Sequence, residues 1–142
     1  MTNVSVNGAG NDRPEPLDGA LAGSAAMNLL VGLLTTVMGL GHLSSVIVVA
    51  TVRGYAYDFR LASLLLVGIA LVIGGALCLS AVRGLARRQR AAWGRALIGT
   101  LLLLIVLVAL GPIQPDMAPG LSLLVAVNLI VLLVARRGLV SV

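Results

Sequence analysis

Four stretches of this chain carry no charged side chain, and that limits the folds open to it more than any other feature. No Asp, Glu, Lys or Arg occurs from Gly19 to Val52, Leu61 to Val82, Ala96 to Gly111 or Gly120 to Ala135. A helix crosses a hydrocarbon core about 30 Å thick with about 20 apolar residues. In lipid its backbone N–H and C=O groups must bond within the segment, which a helix achieves alone. The runs are therefore read as four spans, at about 27–52, 61–82, 93–111 and 119–137. The last two contain only 16 uncharged residues each, about 24 Å of helix. They reach across if Arg95 and Arg136 extend their head groups to the interface and Trp93 and Pro119 lie within the helices. A soluble domain carries about 25% charged residues, against 11% here beside 59% hydrophobic.

The ends of the runs fit this division. Gly54, Gly84, Gly111 and Gly138 follow the four spans in turn, and glycine is the usual residue after a helix because it accepts the left-handed conformation. Arg53, Arg83 and Arg137 precede three of them, where a cation offsets the negative end of the helix dipole. Pro112 cannot continue the third helix. The four aromatic residues, Tyr55, Tyr57, Phe59 and Trp93, all stand outside the apolar centres, as an interfacial belt requires.

All ten basic residues are Arg, giving a net charge of +5. On a soluble protein that excess would suggest a nucleic-acid partner. Here Arg83, Arg87, Arg88, Arg90 and Arg95 crowd into 13 residues between two spans, which is the pattern of a topogenic loop. With the N-terminus inside, Arg13, Arg83, Arg87, Arg88, Arg90, Arg95, Arg136 and Arg137 lie on the cytoplasmic side, and only Arg53 and Arg60 lie on the other. Both termini are thus expected in the cytoplasm. The fold class expected is an all-α integral membrane protein, a four-helix transmembrane bundle at 27–138 preceded by a flexible cytoplasmic tail at 1–26. Arg without Lys, together with abundant Ala, suggests GC-rich coding and so a bacterial inner (plasma) membrane. The acidic residues Asp12, Glu15 and Asp18 near the start argue against a cleaved signal peptide.

Polar residues inside the spans are the candidates for function. In the first span Asn28, Gly32, Thr35, Gly39, His42 and Ser45 recur every three or four residues, so they share one helix face. That face reads either as a close-packing seam or as a polar groove centred on His42, with Asn28 and Thr35 as further binding residues. Asn128 stands midway along the fourth span and is expected to hydrogen-bond His42 across the bundle. The loop arginines are candidate contacts for anionic lipid headgroups or an acidic partner.

Catalysis has little to work with. The chain has one Cys, Cys78, and one His, and no carboxylate lies within any span. No nucleophile–base pair, carboxylate pair or metal cluster can be assembled from these, and no cofactor motif is present. A coupled transporter would keep a titratable acid in the membrane. The sequence therefore favours a non-catalytic accessory or scaffold subunit packed in the bilayer against other membrane subunits or copies of itself. An oligomeric channel or carrier for a small or hydrophobic ligand, using the first-span stripe, is the alternative.

Overall fold

The computed structural model describes residues 16–53, 59–110 and 118–140, which are helical apart from one turn. The helices are α1 (Pro16–Arg53), α2 (Phe59–Ala86), α3 (Arg90–Leu110) and α4 (Ala118–Val140). All four are long and apolar enough to cross a membrane. Helix α1 packs against α2 and α4, and α3 packs against the same two, so the four close into a ring. The α1–α2 interface is the most extensive.

Helix α1 starts eleven residues before the expected first span, so the tail assigned to residues 1–26 is corrected over its last part. Pro16 suits the first helical position, where its missing N–H is unneeded and its φ is already set. Gly19 and Gly23 each weaken a helix by about 1 kcal/mol, but Leu21, Ser24 and Ala25 are buried in the bundle and that packing prevails. Residues 1–15 lie outside the described residues.

Helices α1 and α2 approach closely because small residues face each other. A Cβ on Gly75 would meet Thr36 Oγ1, come within 2.7 Å of Thr35 Oγ1 and stand 2.8 Å from the Gly32 carbonyl oxygen. One on Gly32 would lie 2.9 Å from the Gly75 carbonyl oxygen. The preceding residue, Gly74, faces the other neighbour: a Cβ there would stand 2.7 Å from Leu103 of α3. Successive helix positions diverge by about 100°, so two adjacent glycines serve two separate crossings.

The glycine expected to stop the second span has a different task. Helix α2 runs past Gly84 to Ala86, and a Cβ on Gly84 would collide with that of Ala92 in α3. The chain reverses at Arg88, whose φ of 57° is left-handed. Gln89 N donates to the Gly84 carbonyl at 2.8 Å and Arg88 N to that of Leu85 at 3.0 Å, the paired bonds of a Schellman ending. Gly138 likewise lies inside α4, whereas Gly54 and Gly111 fall outside the described residues. The expected loop from Arg83 to Arg95 therefore shrinks to residues 87–89, with Arg87 and Arg88 in the turn and Arg83, Arg90 and Arg95 on the two flanking helices. A left-handed residue other than glycine costs roughly 1–2 kcal/mol. Arg88→Gly is expected to raise stability by about 1 kcal/mol in thermal unfolding in detergent. A fall would mean that the Arg88 side chain holds the turn by more than the backbone gains.

At the same end Trp93 ties α3 to α4. Its indole N–H donates to the Leu132 carbonyl at 2.9 Å, and the Arg136 guanidinium stands 5.4 Å from the ring centre, within cation–π range.

Candidate polar layer of the bundle core

Leu21 with Ala135, Ala25 with Leu132 and Val31 with Val125 share core clusters across α1 and α4. This steady antiparallel register sets Asn28 opposite Asn128. Both asparagines have no exposed surface, and the same holds for Thr100 of α3 and Cys78 of α2. Each helix thus contributes at least one polar side chain to the interior, with Ser24 beside Asn28 on α1.

The bonds there run through Thr100. Asn128 Nδ2 donates to Thr100 Oγ1 at 2.9 Å, and that hydroxyl donates to the Ala96 carbonyl of its own helix at 2.8 Å. Cys78 Sγ approaches the same hydroxyl at 3.9 Å. On α1, Asn28 Nδ2 donates to the Ser24 carbonyl and Ser24 Oγ to that of Leu21, both at 2.8 Å. The amide donors are thereby held, but Asn28 Oδ1 and Asn128 Oδ1 are buried without a partner. An amide oxygen in that state forfeits about 1–3 kcal/mol of solvation.

The other expected binding residues are not part of this layer. Thr35 is buried about two turns further along α1, where its hydroxyl donates to the Val31 carbonyl at 2.7 Å. It belongs to the α1–α2 crossing. The expected bond between His42 and Asn128 is not made, because Asn128 donates to Thr100 and His42 Nε2 is buried unpartnered. His42 lies fourteen residues beyond Asn28, about 21 Å along the helix, with its ring beside Gly68 of α2. The register that levels Asn128 with Asn28 leaves His42 far from Asn128 in depth, and the ring faces α2 instead of α4. Arg83, Arg87, Arg88, Arg90 and Arg95 are all exposed.

Sequence reasoning missed Thr100 and Cys78 as members of the site. Thr100 is the one hydroxyl in α3, and a polar group in the otherwise apolar run from Ala96 to Leu110 is the signal that would have found it. Cys78 carries no comparable signal, since a small apolar-like residue fits any buried position.

Chemically, the layer is a set of held donors and two free acceptor oxygens. It can accept hydrogen bonds, and the Cys78 thiol is its one titratable group. Among the described residues no group of three His, Cys, Asp or Glu stands close enough to share a metal ion. In comparisons with known proteins, no family model, curated protein or solved structure matches this chain.

Proposed function

We propose that this chain is a multi-pass protein of a bacterial inner membrane, with both termini cytoplasmic, serving as an accessory or scaffold subunit of a larger membrane assembly. The single strongest support is the use made of its interior polar groups. Ser24, Asn28, Thr35 and Thr100 each donate to a carbonyl of their own helix, and Asn128 donates across to Thr100, so these donors are occupied within the bundle. The outside is apolar and open: Leu66, Ile105, Val108 and Leu123 are each about two-thirds exposed or more. The longest helix leaves Leu33, Val37, Leu40, Ile47 and Val48 uncovered, a face suited to another apolar helix. Orientation rests on charge. The antiparallel ring gathers Arg83, Arg87, Arg88, Arg90, Arg95 and Arg136 at one end, the arrangement of a cytoplasmic side.

The test is purification of the tagged full chain from its native membrane in mild detergent, after cross-linking in place. The result expected is a larger membrane protein at fixed stoichiometry. A lone small oligomer that conducts solutes in vesicles would overturn this reading. It would favour a channel or carrier, the second reading, which the two unpartnered asparagine oxygens support.

A further inference from the structure

We propose that the outward face of α3 near its arginine-bearing end binds a phospholipid with an anionic headgroup; this rests on the membrane reading above. The face is built from opposite chemistries in the order an amphiphile requires. Nothing lies within 4 Å of the position a Cβ would take on Gly94, so the backbone there is bare. Arg90 stands one turn before it and Arg95 beside it, both exposed, and Arg87 adds its charge from the turn. No Asp or Glu occurs between Leu61 and Leu110 to neutralise them within α2 or α3. Arg136, by contrast, is turned over the Trp93 ring.

Deeper along the same face come Ile98, Ile105 and Val108, 61%, 67% and 68% exposed. Their spacing from Gly94 keeps them on one stripe. Ala92, Ala96 and Leu103 on the opposite stripe are buried in the core, so this face looks away from α2 and α4. From Gly94 to Ile105 is about 16 Å of helix, close to the roughly 15 Å depth of one leaflet's hydrocarbon. A phosphate held between Arg90 and Arg95 over the bare backbone thus leaves its acyl chains lying along the isoleucines. A soluble acidic peptide would match the arginines and leave the apolar stripe unused. The stripe therefore selects a lipid.

Trp93 is the only tryptophan in the chain and adjoins Gly94, so it reports contact with lipids whose acyl chains carry bromine, a fluorescence quencher. The full-length protein is placed in vesicles in which dibrominated phosphatidylglycerol or dibrominated phosphatidylcholine replaces part of the lipid. An arginine at an anionic surface contributes about fivefold in association. Quenching is therefore expected to give the glycerol lipid a tenfold or greater preference, weakening with salt. Arg90→Gln with Arg95→Gln is expected to bring the ratio to about one, with quenching by the choline lipid unchanged. Gly94→Leu, which keeps the charges and covers the backbone, is expected to lower the ratio severalfold. Equal quenching by the two lipids in the parent, or a preference that survives the double substitution, overturns the site. A preference unaffected by Gly94→Leu also overturns it, since diffuse charge attraction would then suffice. Absence of quenching by either lipid would instead overturn the membrane reading itself.

Discussion

Gly75→Val is expected to separate α1 from α2 and to be among the most damaging single changes in the protein. The added branch has no space: it meets Thr35 and Thr36 hydroxyls and the Gly32 carbonyl oxygen, which belongs to helix backbone and cannot rotate aside. Overpacking a tight core costs typically 1–3 kcal/mol. A backbone obstacle places this case at the upper end, about 3 kcal/mol, because the whole crossing must widen. Unfolding in detergent, followed by circular dichroism, measures it. Gly23→Ala is the matched control. No atom lies within 4 Å of that position, so the change should stabilise α1 by about 1 kcal/mol through helix propensity alone. Equal effects at the two sites would show that the glycine contact does not set the crossing.

Asn128→Ala is expected to lower stability by about 2 kcal/mol. It removes the bond to Thr100, of a kind worth about 0.6 kcal/mol on average and up to about 1.7 between membrane helices, and it leaves a void in a fully buried layer. Asn128→Leu separates the two terms. Leucine fills the void and also removes the unpartnered Oδ1, so its stability should return to within about 1 kcal/mol of the parent. If the leucine variant is as unstable as the alanine one, the hydrogen bond outweighs packing. The layer would then depend on its polar connection to α3.

The number and rough position of the helices were legible in the sequence because a long run without charged side chains leaves a mark at every residue. The small-residue face of α1 was legible for a similar reason, since three-and-four spacing is a property of one helix alone. Partnership across helices is different. Thr100 satisfies its own hydroxyl on Ala96 and would look the same in sequence whether or not Asn128 reached it. Pairing His42 with Asn128 assumed that both stand midway across the bundle, but the register between α1 and α4 levels Asn128 with Asn28 instead, and neither segment alone carries that register. Gly84 shows the same ambiguity within one residue type. Glycine permits a left-handed turn and also permits close contact, and composition cannot tell which is in use. Here the contact with Ala92 claims the glycine, and the turn falls to Arg88.

The paired glycines of α2 have a bearing on how the protein is made. Helices α1 and α2 are consecutive and share the most extensive interface, so their hairpin can lock through Gly32 and Gly75 as soon as residue 86 has left the ribosome. At that moment the Gly74 side of α2 is still uncovered, a shallow socket awaiting Leu103. Assembly then has an order in time: a finished half displays the template on which the second hairpin docks, and α4 closes the ring last by reaching back to α1.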